Sequence, residues 1–277
     1  MFKLCVTTIS VICCTQTFAT TYTVDDDGTA DYSDIQSAIN VAVDGDEILV
    51  MPGTYTSTTG EVVLLNNGKT IWLHSSEGSD VTFIDGENAS RRGITFNGPT
   101  PGVVVEGFTI QNCYTAGGGA GSLMGKGASP TLKDCVITNN NAGHGGGVTI
   151  GNSGSHATFI RCTITNNSAG YGGGFEIQSG NQITLIDSTV CDNDPENILG
   201  SWNDGGGNAI CGACCTNNIC VQSGGDDCTF FGGQWHGEDE VCSDAVCPPG
   251  CIGDINGDYT VNVEDLLLLI AAWGTCP

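Results

Sequence analysis

The stretch Cys135-Val136-Ile137-Thr138-Asn139 returns 27 residues later as Cys162-Thr163-Ile164-Thr165-Asn166. The same frame is present at Phe108-Thr109-Ile110-Gln111-Asn112 and at Ser188-Thr189-Val190-Cys191-Asp192, so the central residues are spaced by 27, 27 and 26 positions. A period this regular marks a solenoid, in which each repeat buries its apolar face only by stacking on its neighbours. Within a period, β-branched runs such as Ala157 to Ile160, Cys162 to Ile164 and Phe175 to Ile177 are separated by Gly and Asn, with no helical spacing between them. The pattern therefore predicts about three strands per coil. A leucine-rich horseshoe has a similar period, but it requires a Leu-x-x-Leu-x-Leu frame that these repeats lack.

Coils of a parallel β-helix stack about 4.8 Å apart, which places Ile110, Ile137, Ile164 and Val190 in one interior column. Each buried member contributes about 1.5 to 3 kcal/mol. Two residues on, Asn112, Asn139, Asn166 and Asp192 form a turn column whose side chains are expected to hydrogen-bond from coil to coil. Cys135 and Cys162 share the interior face and read as small buried hydrophobes. Glycine triplets open at Gly117, Gly145, Gly172 and Gly205, and the last three lead into Val148-Thr149-Ile150, Phe175-Glu176-Ile177 and Asn208-Ala209-Ile210. Their spacing predicts an insertion around Pro195 to Trp202.

The ends differ from the middle. Lys3, the apolar run Leu4 to Cys14 and the small residues around Ala19 read as an export signal over 1–19, with the mature chain starting near Thr20. Ser33 is placed to start an amphipathic cap helix with Ile35, Ala38, Ile39 and Ala42 on one face. Of sixteen cysteines nine fall between Cys211 and Cys276, a density that predicts a disulfide-stapled module over 211–250 and an oxidising compartment, secreted or at the cell surface. Cys191 with Cys211 and Cys251 with Cys276 are the expected closures, leaving Cys113, Cys135 and Cys162 as thiols. Seven Lys and Arg against 31 Asp and Glu give a net charge of −24, which repels nucleic acid. Leu266 to Ala272 is too short to cross a bilayer, so no transmembrane segment is expected.

The run Asp44-Gly45-Asp46-Glu47-Ile48-Leu49-Val50-Met51-Pro52-Gly53-Thr54-Tyr55 resembles the opening of pectin-lyase-like right-handed parallel β-helix proteins, a likeness extending over roughly residues 24 to 210. The resemblance implies a mainly β, right-handed parallel β-helix over 20–210. Its activity is open, because the fold hosts lyases, hydrolases and epimerases of acidic polysaccharides as well as adhesins without catalysis. Asp134, Arg161 and Asp187 each lie three residues before the isoleucine column and should stack on successive coils. They form either a surface ionic ladder or a carboxylate, guanidinium and carboxylate set able to hold a sugar acid or move a proton. His144 and Tyr171 stack in the same way, and a ring column can pack on sugar. Gly143-His144-Gly145 looks like one short polygalacturonase motif, but the accompanying Asn-Thr-Asp and Arg-Ile-Lys signatures are absent. Two functions are expected: display or binding of a glycan or protein without catalysis, or a pectate-lyase-like or glycoside-hydrolase activity on extracellular polysaccharide.

Residues 251–277 carry a separate signal. Asp254, Asn256, Asp258, Asn262 and Asp265 occupy positions 1, 3, 5, 9 and 12 of a loop, with the Thr260 carbonyl at position 7, and Leu266 to Trp273 would be the helix that leaves it. Oxygen ligands at that spacing suit Ca2+ in an EF-hand-type loop. The segment resembles one dockerin repeat, which implies docking onto a cohesin-like surface protein. It departs from that family in having one loop, Tyr259 where Gly is usual, and Val263 and Glu264 at the contact positions.

Overall fold

The computed structural model describes residues 19–66, 68–152, 154–216, 219–223 and 234–235. Their chain winds through three parallel sheets in turn. The first sheet contains Thr21–Val24, Glu47–Val50, Trp72–Ser75, Val104–Glu106, Thr131–Lys133, His156–Ile160, Gln182–Ile186 and Asn203–Asp204. The second contains Gly53–Tyr55, Thr82–Asp85, Thr109–Gln111, Val136–Thr138, Thr163–Thr165, Thr189–Cys191 and Ala209–Ile210. The third contains Glu61–Leu65, Arg92–Asn97, Ser122–Gly125, Val148–Ile150, Phe175–Ile177 and Ile198–Leu199. Between the second and third sheets, Tyr114–Gly118, Asn141–His144 and Ser168–Ala169 form a three-stranded parallel ridge. The architecture is a mainly β, parallel β-helix.

Strand alternation sends every second side chain inward. In the second sheet Ile84, Ile110, Ile137, Ile164, Val190 and Ile210 are in register and buried, as the period predicts. The first sheet contributes Ile48, Leu73, Val105, Leu132, Phe159 and Leu185, and the third Val63, Ile94, Ser122, Val148, Phe175 and Ile198. Phe159 and Phe175 meet edge to face across the core at 5.0 Å.

In the middle coils the turns into and out of the second sheet are made by left-handed residues. Asp134, Arg161 and Asp187 have φ of 51°, 50° and 49° at the entry, and Asn112, Asn139, Asn166 and Asp192 lie at 54–56° at the exit. Such a turn throws its own side chain outward and points the next one in. The expected Asn112, Asn139, Asn166 and Asp192 ladder is therefore corrected by one residue. The buried ladder is Asn140, Asn167 and Asn193, with Cys113 at one end and Asn197 at the other. The entry turns likewise bury Phe108, Cys135, Cys162 and Ser188.

The glycine triplets need a second correction. Gly205 to Gly207 join the first sheet to the second, whereas Gly145 to Gly147 and Gly172 to Gly174 lead into the third. Phe175 pairs with Ile198, only 23 positions on, so the last coil is shortened where an insertion was expected. The first helix spans Ile35–Val41 with Asp34, not Ser33, as its N-cap; the Asp34 carboxylate accepts from the Ser37 backbone N–H at 2.8 Å. It buries Ile35, Ala38 and Ile39 beside Thr21–Val24, Glu47–Val50 and Glu61–Leu65. Cys191 and Cys211 form a disulfide, while Cys113, Cys135 and Cys162 are buried thiols, as expected. Backbone alone is described for the antiparallel strands Gly212–Thr216, Ile219–Ser223 and Gln234–Trp235. Among the described residues no helix is long and apolar enough to cross a membrane.

Candidate functional site

The outer face of the first sheet presents two columns of side chains. One runs Glu47, Trp72, Val104, Thr131, Thr158 and Thr184; the other runs Leu49, His74, Glu106, Lys133, Ile160 and Ile186. At the N-terminal end Glu47 accepts the Thr21 hydroxyl and lies 2.8 Å from His74 Nε2. These two contacts, the Thr21 hydroxyl first, hold the Glu47 carboxyl below its usual range. The His74 ring stacks under the Trp72 indole at 3.8 Å and 13°. Trp72 Nε1 donates to Glu106 Oε2 at 3.1 Å, and Lys133 Nζ donates to Glu106 Oε1 at 2.6 Å. The indole is thereby held on one face and at its polar edge while remaining 42% exposed.

The same network reaches the three residues singled out by the repeat. Lys133 Nζ lies 3.9 Å from Asp134, and Arg161 forks onto Asp134 through Nε and Nη2, both at 2.7 Å. The guanidinium hydrogen bonds hold the Asp134 carboxyl below its usual range, and Asp134 in turn raises Arg161. Asp187 occupies the equivalent turn one coil on, with its carboxylate beside Gly207. Asp134 and Arg161 are thus brought into direct contact, and Asp187 adjoins them without closing onto the guanidinium. All three sit at the turn between two sheets, with Arg161 and Asp187 exposed and Asp134 partly so.

A second group lies along the ridge. His144 and Tyr171 stack as expected, with ring centres 5.3 Å apart and planes inclined by 21°. Beneath them is Glu176, which sequence reasoning missed: its Oε1 lies 3.2 Å from His144 Nδ1, its side chain is 13% exposed, and its Oε2 is buried without a hydrogen-bond partner. The available signal was alternation, since Phe175 and Ile177 point inward and Glu176 between them must point out. Arg92 approaches from the other side, donating through Nε to the Gly118 carbonyl at 3.0 Å.

Asp25, Asp26 and Asp27 place carboxylate oxygens within 4.8 Å of one another at the first coil, where Asp26 also accepts the Thr54 backbone N–H at 3.0 Å. The calcium-loop residues Asp254, Asn256, Asp258, Thr260, Asn262 and Asp265 lie outside the described residues, as does the 1–18 part of the export signal.

No protein-family model and no curated protein matches the chain. Among solved structures it is similar to one described as the crystal structure of pectate lyase Pel9A, with a TM-score of 0.43 and 18% identity over 70% of this chain. The aligned region is 58% of that structure's own length, and no residue role is carried over from it.

Proposed function

We propose that this chain is an exported, rigid β-helix that binds an extracellular glycan on the outer face of its first sheet, without chemistry on that face. The observation that carries the reading is Trp72: an exposed indole pinned by His74 and Glu106 inside a field of carboxylates and hydroxyls. A sugar ring offers an apolar C–H face to such an indole and equatorial hydroxyls to the groups around it. Because the ring is already immobilised, little side-chain entropy is lost on binding. The Ile35–Val41 helix would close the first coil, and the C-terminal loop would bind Ca2+ and serve as an anchor to a cohesin-like surface protein.

A second reading, a lyase or glycoside hydrolase acting on extracellular polysaccharide, draws on the Asp134, Arg161 and Asp187 row. The full chain is to be incubated with a panel of neutral and uronate-containing glycans, with and without calcium, recording both binding and product release. Binding lost in Trp72→Ala and kept in Arg161→Ala, with no chain cleavage, supports the first reading. Chain cleavage abolished by Arg161→Ala replaces it with the second.

A further inference from the structure

We propose that His144, held by Glu176, is the general base of a separate site on the ridge, where it hydrolyses an ester carried by a glycan. The inference goes beyond the binding face of the first sheet, and it starts from a group with no structural purpose. Among the described residues Glu176 pairs with no Lys or Arg, its Oε2 is buried and unpartnered, and the group that faces its Oε1 is His144 Nδ1 at 3.2 Å. A carboxylate whose Oε2 is buried without a partner needs a reason, and orienting an imidazole is one. The negative charge favours the proton on Nδ1 and leaves the lone pair on Nε2, which no described residue holds; the His144 side chain is half exposed.

The surroundings suit a sugar polymer lying parallel to the helix axis. Tyr171, 59% exposed, stacks on the imidazole from the next coil. On the preceding coil His144 is matched in register by Gly118, so no side chain fills the step beside it. Arg92 stands one coil further, about 10 Å from His144 by coil spacing, where an acidic group on the same polymer can reach it. Glu61 is its other partner, at a loose 3.7 Å.

Three reactions on a glycan are open in principle, and the residues present favour one. Glycosidic hydrolysis needs two carboxyl groups flanking the bond, one of them an acid. Here Glu176 lies behind the imidazole, and Glu196 is engaged by the Gly172 backbone N–H at 3.0 Å. Elimination beside a sugar carboxylate needs a cation on that same carboxylate, and Arg92 is two coils away. Ester hydrolysis needs a water activated by a single base. As the water oxygen bonds to the ester carbonyl carbon, its proton passes to Nε2. The tetrahedral oxyanion then collapses, the C–O bond to the sugar breaks, and the leaving oxygen takes the proton from Nε2. The products are a carboxylic acid and the free hydroxyl.

The full chain is to be assayed for acetate release from acetylated xylan and for hydrolysis of p-nitrophenyl acetate, with the fold checked by circular dichroism. His144→Gln is expected to lower both rates about 100-fold. Glu176→Gln should lower kcat with KM little changed, a split that a structural role would not produce. His156→Gln, an exposed histidine on the first sheet, should leave the rates unchanged. No release by the parent chain, an unchanged rate in His144→Gln, or an unchanged kcat in Glu176→Gln overturns the proposal.

Discussion

Asn140 Nδ2 donates to Asn167 Oδ1 at 2.9 Å, and the same oxygen accepts the Asn140 backbone N–H at 3.1 Å. Asn167 repeats both bonds onto Asn193, at 3.0 Å each, and also donates to the Ile137 carbonyl at 2.9 Å. Each asparagine thus supplies the partners that a turn backbone lacks, inside a core where water cannot. Asn167→Ala would strand the Asn140 N–H groups and the Ile137 carbonyl while opening a small void. The expected cost is about 2 to 4 kcal/mol. It is read by denaturant unfolding; a loss under about 0.5 kcal/mol would show that the ladder is not what satisfies these turns.

Gly93, Gly121, Gly147 and Gly174 form a column for a steric reason. A Cβ on Gly121 would meet the Gly147 carbonyl at 2.6 Å, one on Gly147 the Gly174 carbonyl at 2.7 Å, and one on Gly174 the Asn197 carbonyl at 2.3 Å. Backbone cannot swing aside as a side-chain tip can, so Gly147→Ala should cost about 1 to 3 kcal/mol. Gly154→Ala, with open space around its Cβ but φ of 93°, provides a contrast in which only backbone strain is added. A parent-like melting temperature in Gly147→Ala would show that coil spacing adapts.

Asp134 and Arg161 form a well-shaped but exposed pair, and such pairs contribute little to stability. Arg161→Ala is expected to shift the melting temperature by less than about 2 °C. Asp134 has its carboxyl lowered by Arg161, so it releases its proton more readily folded than unfolded. The pair's contribution is therefore present above the ordinary aspartate range and lost as pH falls through the lowered folded value. In Arg161→Ala the small stability loss should be present at neutral pH and shrink as pH falls below ~4, which flattens the acid arm of the stability curve. A loss that grows as pH falls contradicts this assignment.

The second-sheet column was legible because Ile110, Ile137, Ile164 and Val190 repeat with both a constant period and a constant residue class. The turn ladder was displaced because Asn139-Asn140 and Asn166-Asn167 are doublets; sequence shows two amides in a row, and only the left-handed φ of the first decides which one enters the core. The last coil was misaligned because Gly205 to Gly207 imitate the earlier triplets in composition while serving another turn. Of the ridge site, His144 and Tyr171 could be placed together by their spacing. Glu176 could not, since its approach to His144 depends on how the glycine-rich loops fold over the third sheet.

The calcium expectation rests on the chain from Asp254 to Asp265, and it is separable from the fold. Five side-chain oxygens and one carbonyl at loop positions 1, 3, 5, 7, 9 and 12 match what a hard cation takes from a single turning segment. Tyr259 stands where Gly is favoured for backbone freedom, so affinity should fall short of a tight EF-hand, in the range of about 10⁻⁴ to 10⁻³ M typical of weak extracellular modules. Calorimetry of the full chain should show a site that disappears in Asp254→Ala with Asp258→Ala. Asp25, Asp26 and Asp27 supply a competing acidic cluster, so Asp25→Asn with Asp27→Asn is the necessary control and should leave that site in place. Tyr259→Gly should tighten binding by relieving the turn. Heat of binding that survives the Asp254 and Asp258 substitutions and vanishes with those at Asp25 and Asp27 would move the cation to the first coil and defeat the C-terminal assignment.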